Sequence, residues 1–280
     1  MRVYISVDME GIGGISHPHP TDPADARYAN AVELMIGETN AAIAGAVAGG
    51  ATDILVNDSH WSMHNLLPAA LHPAARVLQG QKAWSMVAGA QPAPDGRPAF
   101  DVALFVGYHA RAGHPRGTIA HTYSGRPVET RLDGRATGEY GLNAVVLGAW
   151  GIPVGLVTGD DTLAVEVADW LPWAERVVVK EADGGNSAIA VHPTVACDRV
   201  RAGAETAVRR AREAGVLRLL EVGPPVVIEV DYARGVVADH AAMVPGAERI
   251  GDRGVRYTSD DPVAAFRGFL VGNRVAGTVD

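Results

Sequence analysis

The stretch S-V-D-M-E-G, residues 6–11, ends the first hydrophobic run of the chain, V-Y-I-S-V at residues 3–7. A short, nearly continuous apolar run of this kind is typical of a buried strand. Asp8 and Glu10 are two residues apart, so both carboxylates point to the same side if the chain stays extended, because side chains alternate along a strand. Two carboxylates crowded at a strand end repel each other unless a positive charge lies between them. The stretch therefore predicts a buried strand that ends at a divalent metal site, with a solvated loop as the alternative.

The rest of the chain repeats this alternation of strands and helices. Hydrophobic runs predict strands at residues 53–57, 102–106, 127–132, 154–157 and 176–180, and helix signals predict helices at 23–49, 63–71 and 138–150. Strands that alternate with helices indicate an α/β fold, in which helices flank a mostly parallel sheet. After about residue 190 the pattern changes to a long helix at 194–214, a strand at 226–230 and a helix at 261–272. We expect a metal-binding α/β domain at residues 1–190 and a smaller C-terminal α+β portion at 191–280, packed on it.

Composition argues against several classes of protein. The chain has 280 residues, of which 48% are hydrophobic and 20% charged, as is ordinary for a globular protein. Its net charge of -8 and the lack of a polybasic tract argue against nucleic-acid binding. Cys197 is the single cysteine, so no disulfide can form within the chain, which suits a reducing compartment. The N-terminus lacks signal-peptide features, and glycines interrupt the longest uncharged stretch, residues 141–159. We expect a soluble cytoplasmic protein with no nucleic-acid or membrane partner.

Potential metal ligands follow three separate predicted strands. Asp8 and Glu10 follow the first, His60 follows the second and His109 follows the third. In a parallel α/β sheet the carboxyl ends of the strands line one crevice, so these residues are expected to converge. Imidazole nitrogens and carboxylate oxygens together are a typical set of zinc ligands.

Five motifs in a fixed order make the chain recognisable. They are S-x-D-x-E-G at residues 6–11, N-D-S-H at 57–60, G-Y-H-A at 107–110, H-T at 121–122 and G-E-Y-G-L-N-A at 138–144. Weaker matches follow in V-K at residues 179–180 and H-P at 192–193, so the resemblance spans roughly the first 190 residues. Several motifs in register are far more specific than any one alone. On these residues the chain resembles the D-aminopeptidase (DppA-type) family of zinc metallopeptidases.

The resemblance implies a site with two zinc ions per subunit. Asp8 would bridge both ions. Glu10 and His60 would complete the first ion, and His109 and Glu139 the second. In such a two-metal hydrolase, ions about 3.5–4 Å apart hold a water and the scissile carbonyl, and the metals lower the pKa of the water.

The resemblance also implies an activity and an assembly. The expected reaction is release of N-terminal residues, preferably D-configured, from short peptides. His121 matches the additional catalytic histidine of the family, and its role stays open between proton donor, oxyanion stabiliser and nucleophile. The implied assembly is a homodecamer, made of two stacked five-membered rings whose active sites face an internal channel.

Some features leave alternatives open. Members of the family often carry Gly after the N-D-x-H histidine, whereas this chain has Trp61, whose ring is able to narrow the substrate pocket. A dimetal amidohydrolase acting on another amide, or a catalytically silent peptide-binding ring protein, is therefore the alternative function. Whether the Gly- and Pro-containing loop at residues 11–23 gates the site also stays open. His17 and His19 in this loop are expected to be surface or substrate-side residues.

Overall fold

Two β-sheets form the framework of the computed structural model, which describes residues 1–279. In chain order the strands are β1 (Arg2–Val7), β2 (Asp53–Asp58), β3 (Ala75–Leu78), β4 (Val102–Val106), β5 (Pro127–Leu132), β6 (Arg135–Ala136), β7 (Val154–Asp160), β8 (Glu175–Gly184), β9 (Ser187–Ala190), β10 (Val226–Tyr232), β11 (Ala247–Ile250) and β12 (Gly254–Ser259). The larger sheet has the order β3-β2-β1-β4-β7-β8-β9 and the smaller one β11-β12-β10-β5-β6. In the larger sheet every neighbouring pair is parallel except β8 with β9. The carboxyl ends of β1, β2 and β4 therefore lie side by side at one edge.

Helices cover both faces of the larger sheet. Within the described residues they are α1 (Tyr28–Ala48), α2 (Glu139–Ala149), α3 (Asp161–Trp170), α4 (Pro193–Arg210), α5 (Gly235–Ala241) and α6 (Pro262–Ala276). On one face, α1 and α4 pack against each other and over Val3 and Ile5 of β1. On the other face, Tyr4 joins a core that includes α2, α3, α6 and the smaller sheet. Burial on both faces explains why β1 reads as a continuous hydrophobic run.

This architecture confirms the predicted α/β fold with a mostly parallel sheet and flanking helices. The smaller sheet is antiparallel and takes β5 and β6 from residues 127–136 and its other strands from residues 226–259. Conversely, α4 lies beyond residue 190 and packs on the larger sheet. The division at residue 190 stays a prediction. Segments from both sides of that residue form the smaller sheet, and helices from both sides pack on the larger sheet.

Two predicted helices differ from the structure because aspartate side chains capture main-chain amides. The first helix begins at Tyr28 rather than at residue 23, since the carboxylates of Asp22 and Asp25 accept hydrogen bonds from the amides of Ala24 and Arg27, at 2.8 Å each. Such side-chain turns compete with helix formation. The helix predicted at residues 63–71 was wrong. The Asp58 carboxylate accepts the amides of residues 65 and 66, and only a 3-10 turn at Pro68–Ala70 remains.

Two further boundaries also differ. The helix predicted at residues 194–214 ends at Arg210. The strand predicted at 176–180 runs on to Gly184 and turns back as β9. By length and composition α1 is apolar enough to cross a membrane, but half of its most apolar window is buried inside the fold. That burial is typical of a core helix.

Candidate metal centre

The carboxyl edge of the larger sheet brings together the residues that the sequence singled out. Asp8 directly follows β1, with Glu10 in the turn after it. His60 lies two residues beyond the end of β2, and His109 lies three residues beyond the end of β4. Glu139 is the first residue of α2. All five side chains are buried, with no residue more than 5% exposed. The predicted convergence of ligands from separate strands is therefore present in the fold.

The Asp8 carboxylate lies between two histidines. Its Oδ1 is 3.3 Å from Nδ1 of His60, and its Oδ2 is 3.4 Å from Nε2 of His109. Glu10 Oε2 lies 2.9 Å from the same His60 nitrogen, and Glu139 Oε1 lies 3.5 Å from the same His109 nitrogen. Each imidazole thus faces two carboxylates, and Asp8 is the residue shared by both groups.

Main-chain carbonyls orient the two buried rings. His60 Nε2 is 3.0 Å from the carbonyl oxygen of Thr21, and His109 Nδ1 is 3.0 Å from the carbonyl oxygen of Ala110. A carbonyl only accepts hydrogen bonds, so each of these ring nitrogens carries a hydrogen. In the neutral ring the other nitrogen then presents its lone pair to the carboxylates. This is the usual arrangement of a metal-binding histidine, whose second nitrogen donates to a carbonyl or carboxylate.

His121 stands beside this group but is less buried, with 25% of its side chain exposed. Its ring stacks on that of His109, with 4.1 Å between centroids and 16° between planes. Nδ1 donates to the carbonyl of Ile119 at 2.9 Å, and Nε2 lies 3.7 Å from Oε1 of Glu139. The ring therefore borders the cleft, with Nε2 on the side of the buried cluster.

The electrostatics of the cluster favour a bound positive charge. Burial raises the pKa of Asp8, and the charge of Glu10 raises it further. Burial acts in the same direction on Glu10, but the histidines around it, His60 foremost, hold its pKa well below the usual range. Burial disfavours the charged forms of His60 and His109, yet the adjacent carboxylates raise both pKa values well above the usual range. A divalent cation would replace these protons and satisfy the same carboxylates.

When the histidine rings are neutral, two buried atoms in the cluster lack a hydrogen-bond partner among residues 1–279, namely Glu10 Oε2 and His109 Nε2, because the ring nitrogens that face the carboxylates then carry no hydrogen. Leaving a buried polar atom unpaired costs about 1–3 kcal/mol. Both atoms belong to residues whose ligand atoms lie within 4.8 Å of one another, in the groups Asp8–Glu10–His109 and His109–His121–Glu139. Unpaired nitrogen and oxygen atoms in such groups are what a metal ion would coordinate.

Residues that sequence reasoning left without a role hold the cluster in place. The buried ammonium of Lys180, on β8, donates hydrogen bonds to the main-chain carbonyls of Glu10, Ile12 and Ile15. The main-chain amide of Tyr123 donates to Oε1 of Glu139 at 2.6 Å. The V-K motif was the one sequence signal for Lys180. The donor at Tyr123 is a main-chain amide, which the amino-acid sequence does not single out.

A buried chain of hydroxyl and amide groups lies beneath the cluster. Ser6 Oγ is 2.7 Å from Ser59 Oγ and 2.8 Å from the hydroxyl of Tyr108. Asn143 donates to the Tyr108 hydroxyl at 3.0 Å and accepts from the Tyr123 hydroxyl at 2.5 Å. These hydrogen bonds connect the end of β1 to the segments that carry His60, His109, His121 and Glu139. They therefore couple the positions of ligands that are distant in sequence.

The cluster opens into a cleft of about 870 Å³. Trp61, 60% exposed, lines its mouth. Its lining also includes residues of α6, the helix that packs against the smaller sheet. His17 and His19 lie outside this lining in the loop before α1, where their rings contact each other at 4.3 Å between centroids.

Comparisons with known proteins identify the family of this chain. The sequence profile of a family described as D-aminopeptidase matches residues 1–271. A D-aminopeptidase of Bacillus subtilis (strain 168) is 34% identical over 278 residues, which cover 99% of this chain and 98% of that protein. The solved structure described as the Zn-dependent D-aminopeptidase DppA from Bacillus subtilis, a self-compartmentalizing protease, superposes with a TM-score of 0.93 at 32% identity, covering 100% of this chain and 99% of that one. The buried cluster at the carboxyl edge thus lies in a chain that belongs to the D-aminopeptidase family.

Proposed function

We propose that this chain is a zinc-dependent aminopeptidase that releases N-terminal residues, preferably D-configured, from short peptides. The observation that carries the proposal is the Asp8 carboxylate, whose two oxygens face two different buried histidines at 3.3 and 3.4 Å. One carboxylate shared between two groups of ligands would hold two metal ions at the short separation, about 3.5–4 Å, of a two-metal hydrolase. Membership of the D-aminopeptidase family supports the substrate class.

The residues of the cluster fit two zinc ions. Glu10 and His60 would hold the first ion, His109 and Glu139 the second, and Asp8 both. The donor set of imidazole nitrogens and carboxylate oxygens suits zinc, and the unpaired Glu10 and His109 atoms support the assignment. The relative of known structure is described as Zn-dependent, and two ions per subunit is our proposal for this chain.

When bound, the zinc ions supply Lewis acidity and lower the pKa of a water molecule, so that hydroxide is available near neutral pH. The protein holds the ions in place and supplies a group that transfers a proton during the reaction. Asp8, Glu10 and Glu139 hold negative charge in a buried pocket, where electrostatic interactions are stronger than in water. His121 borders the cleft with Nε2 near Glu139. We propose that it donates a proton to the leaving amine or stabilises the oxyanion, rather than attacking directly.

The assembly and its setting are part of the same proposal. The relative is described as self-compartmentalizing, which supports a homo-oligomer here. We propose a decamer of two stacked five-membered rings in the cytoplasm, which would restrict substrates to short or unfolded peptides. A light-scattering mass near 29.2 kDa across a wide concentration range would contradict this assembly.

Hydrolysis of matched peptides tests the activity. The zinc-loaded protein is assayed on D-alanyl-D-alanine and L-alanyl-L-alanine, with a chelator-treated sample and with His121→Ala. We expect zinc-dependent release of D-alanine, slower release from the L-peptide and a large loss of turnover with His121→Ala. Metal-dependent cleavage of other amides, but of neither peptide, would favour the amidohydrolase alternative. Tight peptide binding without any cleavage would favour the silent binding protein.

A further inference from the structure

The cleft has two chemically different regions. Three carboxylates, those of Asp8, Glu10 and Glu139, line its buried end. Lys82, Arg126 and Arg274 place positive charge on its lining. The cluster of carboxylates is explained by the proposed metal ions, whereas Lys82 and Arg274, which lie next to each other on the lining, have no role in that chemistry.

Lys82 is held close to the metal ligands by its own hydrogen bond. Its ammonium donates to the main-chain carbonyl of Asp58 at 2.7 Å, two residues before His60. Two residues of chain span at most about 7 Å between Cα atoms, so the ammonium is near the ligand cluster. Partial burial lowers the pKa of Lys82 to about 8, which leaves the group mainly charged near neutral pH. An ammonium has three N–H donors, and the bond to Asp58 uses one.

Arg274 reaches the same wall from α6. Its Nη2 donates to the main-chain carbonyls of Lys82 at 2.9 Å and of Ala83 at 3.3 Å. The guanidinium has further N–H donors that these two bonds do not use. Within residues 1–279 neither Lys82 nor Arg274 forms an ion pair with a carboxylate. The wall therefore offers adjacent N–H donors on two charged groups that form no ion pair with a carboxylate of the described residues.

We propose that Lys82 and Arg274 bind the C-terminal carboxylate of a di- or tripeptide, whose scissile amide lies at the carboxylate-lined end of the cleft. The proposal rests on the proposed function and names its substrate class. In a dipeptide the terminal carboxylate follows the scissile amide by one residue, a span of about 3.8 Å, and in a tripeptide by about 7 Å. These lengths are of the same order as the span of at most about 7 Å between the Cα atoms of Asp58, whose carbonyl binds the Lys82 ammonium, and His60. Paired cations recognise a carboxylate through charge-assisted hydrogen bonds.

A purely structural role for the pair makes a different prediction. Arg274 connects α6 to the segment that carries Lys82. If this connection were its only role, replacing Arg274 would change kcat/KM for all substrates by the same factor. A carboxylate site distinguishes a free peptide acid from the same peptide as its C-terminal amide. The ratio of kcat/KM for acid and amide therefore separates the two roles.

The first experiment measures this ratio for D-alanyl-D-alanine and its C-terminal amide. Zinc-loaded wild type is compared with Lys82→Met, Arg274→Met and the milder Lys82→Gln. Arg267→Met is the matched control, because Arg267 is an exposed cation on α6 that contacts the Trp84 ring rather than the cleft. We expect a preference for the acid of about tenfold or more, expressed mainly in KM. The ratio of kcat/KM for acid and amide should fall toward one in the Lys82 and Arg274 variants and stay at the wild-type value in the Arg267→Met control. A wild-type ratio near one, or a ratio unchanged in the variants, would overturn the proposal.

A second experiment measures binding without turnover. The probe is a dipeptide analogue in which a methylene replaces the scissile carbonyl, made as the acid and as the amide. Isothermal titration of the zinc-loaded protein should give tighter binding of the acid, with the difference lost in Lys82→Met. If wild type cleaves neither peptide but keeps this preference, the proposed function fails and the carboxylate site stands. Equal binding of acid and amide would overturn the carboxylate site even if both peptides are cleaved.

Discussion

The buried ammonium of Lys180 donates a 2.5 Å hydrogen bond to the main-chain carbonyl of Glu10, 170 residues earlier in the chain. It also donates to the carbonyls of Ile12 and Ile15. One side chain on β8 thereby fastens the turn that carries a proposed zinc ligand. The position of Glu10 thus depends on a strand that is remote in sequence.

Replacing Lys180 should loosen this turn. Lys180→Met would leave three buried carbonyls without their donor, and we expect the free energy of unfolding to fall by about 3 kcal/mol or more. Zinc retention during dialysis against a chelator should fall with it. The control is Arg199→Met, because Arg199 is an exposed cation that donates to a carbonyl of the same strand, that of Val178. Unchanged stability and retention in Lys180→Met would contradict the anchoring role.

Asp8 should govern the binding of both proposed ions. Elemental analysis of purified wild type is expected to give two zinc equivalents per chain. Asp8→Ala should lose both, because its two oxygens face both groups of ligands. Glu139→Gln should lose mainly one, and Asp95→Ala, in an exposed loop, should lose none. A wild type with little divalent metal after purification without chelators would argue against the metal centre.

The pH dependence of stability should report on Glu38, which is buried beside the turn and accepts the Gly13 amide at 2.7 Å. Burial raises its pKa to about 7, and the Gly13 amide and the charge of Lys180 oppose this only in part. The unfolded chain releases this proton near pH 4.5, whereas the folded chain keeps it until about pH 7. The contribution of Glu38 to the free energy of unfolding therefore decreases as the pH rises between these values, by about 3 kcal/mol.

Glu38→Gln should remove this part of the pH dependence. Urea unfolding of wild type and variant between pH 4.5 and 7.5 measures it, as the difference between the two curves. The variant should gain stability relative to wild type as the pH rises. Glu213→Gln, on an exposed turn, serves as the control. Parallel curves for wild type and Glu38→Gln would show that the carboxyl titrates alike in the folded and unfolded chains.

Gly11 should tolerate no side chain, because the turn passes close to the backbone beyond β4. A Cβ there would lie 1.8 Å from the carbonyl oxygen of Tyr108. Gly11→Ala is therefore expected to lower the free energy of unfolding by about 3 kcal/mol or more, with loss of zinc. Gly185→Ala is the matched control, since its Cβ meets nothing within 4 Å. Equal stability of the two variants in thermal unfolding would refute the close approach.

Trp61 should control substrate size rather than stability. The ring is 60% exposed at the mouth of the cleft, and the backbone has a positive φ of 48°, which glycine adopts without strain. Trp61→Gly should change the free energy of unfolding by no more than about 1 kcal/mol. It should raise kcat/KM for peptides with bulky side chains relative to D-alanyl-D-alanine. The same ratio in wild type and variant would mean that the ring does not restrict the cleft.

The convergence of Asp8, His60 and His109 could be predicted because these proposed ligands follow recognisable strand patterns. The runs before Asp8, His60 and His109 are apolar and short, and parallel strands place their carboxyl ends at one edge. The missed features depend on contacts that no local pattern records. The first helix begins late because Asp22 and Asp25 take nearby amides, and the helix expected at residues 63–71 is replaced by bonds to Asp58.

The linear pattern was thus sufficient for the α/β class and for Asp8, Glu10, His60 and His109 as proposed ligands, since burial periodicity and ligand chemistry are local properties. Glu139 was proposed only through the resemblance to the family. The pairing of residues 127–136 with strands from residues 226–259, the anchoring of the Glu10 turn by Lys180 and the meeting of Arg274 with the Lys82 segment arise from folding. Each of these contacts joins residues about 90 or more positions apart. Their geometry depends on how the sheets and helices pack together, because the free energy of such contacts is gained only after the intervening chain has been ordered.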